Sequence, residues 1–446
     1  MCAQQPRSSV RVCCHSVRTL GAGFNRLWAA SIASNLADGV GRTAIPLIAT
    51  TLTRDPLLIS AVTAVAFLPW LLFGLPAGLL IDRVDRRVAM AAANGLRVLM
   101  ALVVAVAITT DTLTIWLLYA CILVWGMGET VFDTGTNAVL PSAVSDRAQA
   151  NHGLEKANGR IEGAQVVVDT FIGSPISGVL FAVAIAIPVW TTAGGFLVSA
   201  VLALFLPACV ARAARDVDAA PPMHRGVRRL VHEARESLQF VAHHRLLRGL
   251  LVLTTVAGGM LAFGQASEFL FFLDAMGVPA AMLGFVIAAI GVGALLGAVT
   301  ATWVIARLGR AKVMWGATML AGVALALVGV APNLPVALVS YAASAFCIAT
   351  WNVPWSALRQ ELIPGAMLGR TIGFMRSVTW GAIPVATILG GFVARVDLRL
   401  PFVIGGAAII AAVLAGTRVL LSIDRAGSHQ ATNPRRTDPA SLQPGR

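Results

Sequence analysis

The sequence predicts an all-α membrane protein with twelve transmembrane helices in two six-helix halves. Three observations carry that prediction. Mean hydropathy is +0.79, with 57% hydrophobic residues. Only 12% of the 446 residues are charged, about half of the roughly 25% usual in soluble domains. A soluble chain of this size needs more polar surface, so lipid is the solvent that fits. Finally, apolar stretches recur along the chain at the length of roughly 20 helical residues that crosses about 30 Å of hydrocarbon. Backbone in hydrocarbon must satisfy its hydrogen bonds internally, which makes these spans helices. The short alternating segments of an outer-membrane barrel are absent.

The spans read as residues 26–50, 57–81, 88–108, 113–139, 159–184, 187–210, 247–273, 281–305, 312–330, 334–358, 367–393 and 400–421. They divide the chain into an N-terminal half, 24–210, and a C-terminal half, 247–423, joined by a linker, 211–246. Residues 1–23 have no apolar core or cleavage site of a signal peptide and are expected to be a disordered cytoplasmic tail. Residues 424–446 are polar, with Pro and Arg, and are read the same way.

A net charge of +13 raises the question of nucleic acid. The basic residues, however, form short clusters between spans, the pattern of membrane topology, and nucleic-acid binding is set aside. One side carries Arg83, Arg86 and Arg87, then Arg147 and Lys156, the linker, Arg307, Arg310 and Lys312, and Arg370. The opposite side has Arg54, Arg395 and Arg399. This bias and the even span count put both termini in the cytoplasm of a bacterial inner membrane. Within the linker, Leu230, Ala234, Leu238 and Val241 fall at helical spacing among Arg and His, which predicts an amphipathic helix drawn to anionic lipid. The six cysteines and seven histidines have no metal-ligand spacing, so no metal and no cofactor is expected.

The halves repeat weakly. The fourth and tenth spans end in Leu140-Pro141 and Ile363-Pro364, each followed by an Arg-bearing turn. The fifth and eleventh carry Pro near Gly: GSPISG, with Gly173, Pro175 and Gly178, and Pro384 with Gly390 and Gly391. Paired halves built from inverted triplets are a transporter signature. The loop between the second and third spans reads GLLIDRVDRR, 78–87. It resembles the signature loop of the major facilitator superfamily through Gly78, Leu80, Asp82, Arg83, Arg86 and Arg87, with Asp85 in place of the usual Gly. Asp82 is expected to cap the third helix, where an anion is favoured. The second-half equivalent keeps Arg307, Gly309 and Arg310. The resemblance runs from about Asn25 to Leu421, and within the superfamily the chain looks most like bacterial exporters of drugs, macrolides and siderophores. It implies that the 78–87 loop is a gating latch and that helices one, four, seven and ten line an aqueous path.

Charges inside spans are costly and therefore functional candidates. Asp38 and Arg42 lie one turn apart on the first helix, as do Glu129 and Asp133 on the fourth. Glu268 lies on the seventh, and Arg359 and Glu361 end the tenth. Two carboxylates one turn apart cannot both ionise cheaply in a low dielectric, so Glu129 with Asp133 is the first candidate for exchanging a proton, followed by Asp38 and Glu268. Glu162 and Asp169 are two turns apart on the fifth helix and are candidates to join this network. A neutralised structural pair, Asp38 with Arg42, is the competing reading. GSPISG resembles the fifth-helix motif of antiporters, with Ser174 where the family has Gly. Proton-driven drug exporters usually carry an Arg in the fourth helix, and none stands between Asp111 and Pro141. Trp351, Asn352 and Trp355 on the tenth helix, Trp125 on the fourth and Arg42 are candidate walls of a substrate cavity.

The sequence reading is thus a secondary transporter working by alternating access, exporting a hydrophobic or amphiphilic small molecule in exchange for protons, as a monomer in lipid. Alternatives are uptake or facilitated transport of a metabolite, lysophospholipid flipping, and a non-transporting membrane sensor. No nucleophile with a base and an orienting group is visible, so an enzyme is not expected.

Overall fold

The computed structural model describes residues 22–144, 153–207, 235–364 and 367–423. No strand occurs among them. The helices are α1 (Ala22–Leu52), α2 (Pro56–Arg83), α3 (Arg86–Thr109) and α4 (Ile115–Ala143). Then come α5 (Gly153–Val166, continuing through Val167–Gly173 into Ser174–Val183) and α6 (Ile187–Leu204). The second half has α7 (Arg245–Gln265), α8 (Ala280–Leu308), α9 (Arg310–Val330), α10 (Leu334–Leu362), α11 (Leu368–Ala394) and α12 (Leu400–Leu421). Residues 235–243 are also helical.

Among the described residues, eleven helices are long and apolar enough to cross a membrane. The helix outside that set is α1, which at 31 residues has the length but carries Arg26, Asp38 and Arg42 among several Asn and Ser. Helix starts follow local chemistry. Thr114 and Asn333 accept the Leu117 and Val336 N–H groups, at 3.3 and 3.1 Å. The cap of α3 is Asp85, which accepts the Arg87 N–H at 3.0 Å. This corrects the expectation for Asp82: α2 runs on to Arg83, so Asp82 belongs to the preceding helix and the residue in the family's Gly position does the capping. Gly309, at φ +82°, turns the chain between α8 and α9 in one residue, a conformation that a side chain disfavours.

Two of the spans are not continuous α-helix. The seventh span is interrupted: α7 ends at Gln265, and a short turn, Glu268–Leu270, leads into a π-helical stretch, Phe271–Ala275. In α5, Val167–Gly173 is π-helical, immediately before Pro175. Proline offers no N–H to the preceding turn, and a widened turn accommodates that loss.

The described helices pack as two compact units. The first lies within Met1–Ile45 and Leu72–Val217, the second within Pro46–Leu71 and Asp218–Arg446. In the first, α3 packs against α4 and α6; in the second, α9 packs against α10 and α12. The same spacing of partners in each half is the tertiary form of the weak sequence repeat. Within the second unit, Ser60 and Leu57 of α2 meet Gly391 of α11, where a side chain on Gly391 would collide with them. Asp55, just before α2, holds Arg395 through two hydrogen bonds, one of 2.8 Å to Nε. Arg54 holds Asp274 at 3.0 Å.

In the linker helix, Ser237 and Val241 are buried while Leu238 is 51% exposed. Leu230 and Ala234 lie outside the described residues, as do the two tails and the cysteines Cys2, Cys13, Cys14 and Cys209.

Candidate coupling site

The first unit contains a cluster of charges built from four helices. Asp38, on α1, does not pair with Arg42 one turn away. Its hydrogen-bonded ion pair is with Arg97 of α3. Arg97 is fully buried. Its Nη1 donates to Ser34 at 3.0 Å and to Asn94 at 3.1 Å. The guanidinium lies 3.8 Å from the centroid of the Phe196 ring. Asn94 donates to Ser199 on α6, which donates to the Ala30 carbonyl on α1, so the pair sits in a hydrogen-bonded frame tying α1, α3 and α6.

Arg97 also crosses α4. A methyl group added at Gly128 would come within 2.7 Å of the Arg97 Cγ, so Gly128 makes room for the arginine stem. The fourth helix lacks an arginine in sequence, yet the stem of an arginine from α3 lies against it at Gly128, one residue before Glu129.

Arg42 faces the other way, with its side chain 54% exposed. Its Nη2 donates to Glu129 at 3.1 Å and its Nη1 to Asp169 at 2.6 Å. Both carboxylates are largely buried, at 17% and 13% exposure. Asp169 lies in the π-helical part of α5. That stretch passes so close to Gly39 that a side chain there would strike the Asp169 backbone, and Gly173 meets Gly39 and Val40 in the same way. Small residues thus press α1 onto α5 and bring Asp169 to Arg42. Pro175 is half-buried and Gly178 buried just beyond. Asp133, one turn further along α4, is half-buried, and Glu162 is exposed.

The second unit holds a different arrangement. Glu268 accepts a hydrogen bond from the Tyr341 hydroxyl of α10 at 3.0 Å. Among the described residues no basic side chain pairs with it. Tyr341 is buried in an aromatic cluster, stacked on Phe272 at 6.3 Å and edge-on to Phe402 at 5.9 Å. The carboxylate stands where the seventh span breaks.

The remaining expected residues separate. Trp125 is buried, edge-on to Phe196 at 5.0 Å, with its ring against Gly41. Its bulk fills the space between α1, α4 and α6. Trp351 and Trp355 are buried against each other at 5.5 Å, and Asn352 between them is exposed. In the signature loop, Arg86 donates to the Ala138 carbonyl near the end of α4 at 2.8 Å, and Arg87 chelates Asp85. The second half answers with Arg310, which holds Glu361 at the end of α10 at 2.7 Å. Gly78 has open space beside it, and the side chains of Asp82 and Arg83 lie outside the described set. The sequence reading missed Arg97 and Tyr341. The signal for Arg97 was present, because it is a lone arginine inside the third apolar span with Asn94 one turn before it. Tyr341 had none, since its role depends on a partner 73 residues away.

Paired helical halves with ion-paired charges inside apolar helices define a membrane transporter of the major facilitator type. A family model described as transmembrane secretion effector matches residues 20–442, and the chain belongs to that family. It is similar to the multidrug efflux pump Tap of Mycolicibacterium fortuitum, 26% identical over 371 residues, covering 81% of this chain and 87% of that protein. It is also similar to macrolide efflux protein A of Streptococcus pyogenes, 22% identical over 396 residues, covering 87% and 93%. In fold it matches a crystal structure of the nucleoside transporter NupG, with TM-score 0.74, 13% identity and coverage of 89% and 99%. A bacterial homologue of the iron transporter ferroportin, in an inward-facing state, matches with TM-score 0.69, 15% identity and coverage of 91% and 99%. The protein is therefore a multi-pass membrane transporter of small-molecule substrates.

Proposed function

We propose that the protein exports hydrophobic or amphiphilic small molecules from the bacterial cytoplasm by alternating access, in exchange for protons. It acts as a monomer in the inner membrane with both termini cytoplasmic. The observation that carries the coupling is the position of Arg42, half open to solvent and held between two mostly buried carboxylates. A proton arriving on Glu129 or Asp169 cancels one arm of that clamp and leaves the guanidinium to the other. Because Glu129 is on α4 and Asp169 on α5, protonation changes which helix α1 is tied to. This is the two-position element that coupled transport requires.

The drug-efflux names of the relatives support export of organic compounds. The ion pairs of Arg54 and Asp55 with Asp274 and Arg395, at loop ends that the charge bias assigns to the outer side, support an outer gate that must break for release. The amphipathic linker segment supports contact with anionic lipid.

The test uses inverted membrane vesicles containing the protein, acidified inside, with a pH-sensitive dye. Lipophilic drugs, dyes and siderophores are added one at a time. Proton release by the intact chain but not by Glu129→Gln or Asp169→Asn establishes antiport through the Arg42 clamp. Release that survives both substitutions and disappears in Glu268→Gln moves the proton site to the second unit. Gradient-independent movement of a compound, with no proton release, replaces the antiporter with a facilitator.

A further inference from the structure

The unit that holds Glu268 also carries two arginines that meet no carboxylate among the described residues. Arg359 lies 5.1 Å from the centroid of Trp355, one turn earlier on α10. Arg376 lies 4.2 Å from the centroid of Trp380, one turn later on α11. The neighbouring basic residues Arg310 and Arg370 have acids, Glu361 and Glu236. Among the described residues Arg359 and Arg376 have none, and Arg376 stands close enough for its charge to act on Arg359. The Arg359 Nε is buried without an acceptor. So is the Nε1 of Trp351, a residue only 8% exposed. Like charges held together beside orphaned donors raise the energy of the empty protein, and an anion arriving there would lower it.

The aromatic surroundings describe the rest of the ligand. Trp351 and Trp355 meet at 5.5 Å, and Trp380 is edge-on to Trp70 at 5.8 Å and to Phe67 at 6.4 Å. All of these rings belong to the same unit. We propose that α10 and α11 form a binding wall for an organic anion with a flat aromatic body, its carboxylate or sulfonate taken by Arg359 and Arg376 and its ring laid against the indoles. A guanidinium binds such an oxyanion through paired, charge-assisted hydrogen bonds, and an indole face offers apolar area and stacking. A cationic compound of the same size meets two positive charges instead. This selectivity rests on the reading of the protein as an exporter. The phosphate of an anionic lipid offers the same acceptor chemistry as the sulfonate or carboxylate.

The test reconstitutes the full chain in phosphatidylcholine vesicles and follows carboxyfluorescein and rhodamine 123, an anionic and a cationic dye of related shape. Binding is read separately, as quenching of indole emission. The expected result is carboxyfluorescein transport with a KM raised about tenfold in Arg376→Gln and in Arg359→Gln and little change in kcat. Arg376→Lys keeps part of the affinity, and rhodamine 123 gains from either Gln substitution. Rhodamine 123 bound more tightly than carboxyfluorescein by the intact chain, or quenching by carboxyfluorescein that neither Gln variant weakens, overturns the assignment. So does phosphatidylglycerol in the vesicles abolishing the dye's dependence on both arginines, because the anion is then a lipid headgroup. A chain that binds carboxyfluorescein through these arginines but moves neither dye keeps the site and loses the export reading.

Discussion

Three acids of the first unit, Asp38, Glu129 and Asp169, meet arginines, while Glu268 of the second meets a phenol. Asp38 is bound to Arg97, and Glu129 and Asp169 share Arg42. Glu268 has Tyr341. The difference separates two ways of keeping a carboxylate out of water. A paired charge is expensive to break, because removing one partner leaves the other uncompensated. A carboxylate held by a neutral donor has no such dependant, and replacing it with an amide removes a charge while keeping its shape. Stability should therefore rest on the first unit's acids and arginines far more than on Glu268.

The sharpest way to break this contrast is Arg97→Gln against Glu268→Gln. Arg97 is fully buried, and its loss strands Asp38. It should destabilise the protein by about 3–5 kcal/mol, read as thermal unfolding in detergent, while Glu268→Gln leaves the midpoint unchanged or raises it. Equal losses would mean that Glu268 has an opposite charge near it, and the contrast would fall.

A smaller effect of the same origin is expected at Gly128. Gly128→Ala puts a methyl group where the Arg97 stem lies, and overpacking of this kind costs about 1–3 kcal/mol. The loss should shrink when Arg97 is Ala, which removes the Cγ and Cδ that the methyl meets, and persist in part through the Ala93 carbonyl at 2.8 Å, so a double-mutant cycle measures how much the two share.

Asp169→Asn sharpens the comparison within the first unit. Its partner Arg42 is half exposed, so water takes up much of the freed charge and the unfolding midpoint should move less than for Arg97→Gln. Proton-coupled transport should nevertheless fall by at least about tenfold. A stability loss as large as that of Arg97→Gln, with transport retained, would make the Arg42 clamp a structural pair.

The least effect is expected at the loop ends. The Arg395 guanidinium holds the Asp55 carboxyl below its usual range, with the Leu57 N–H adding to the same direction. A carboxyl held low in the folded state stabilises at pH above its ordinary value of 3.8 and loses that contribution as pH falls through the lowered value. The Asp55–Arg395 pair should therefore be intact and pH-independent between about pH 5 and 8. Asp55→Asn should alter the midpoint little across that window. Its effect should appear in transport rate, through the outer ends of α2 and α11, and a pH-dependent difference between Asp55→Asn and the intact chain within the window would contradict the pairing.

What the sequence determined by itself is the part of the protein governed by its solvent. Low charge, apolar runs of spanning length and basic clusters between them define an all-helical membrane chain, because hydrocarbon admits only helices and closed barrels and the alternation of barrel strands is absent. Its family was also legible, through Gly78, Arg86 and Arg87 and the weak repeat of the halves. The candidate acids Asp38, Glu129 and Glu268 were legible for the same reason: an ionisable group in an apolar run stands out.

Only the tertiary structure decided who pairs with whom. Helical spacing put Asp38 beside Arg42, yet the guanidinium that reaches Asp38 comes from α3, and Arg42 turns to α4 and α5. The fourth helix has no arginine of its own, and at Gly128 it meets the stem of Arg97 from α3. Trp125 packs edge-on to Phe196, and Glu268 meets Tyr341 where the seventh span breaks. Periodicity along one helix fixes which residues share its face. Which neighbouring helix that face meets, and how closely, depends on where glycines such as Gly39, Gly128 and Gly173 let backbones and long side chains pass, and that is a property of the packed molecule.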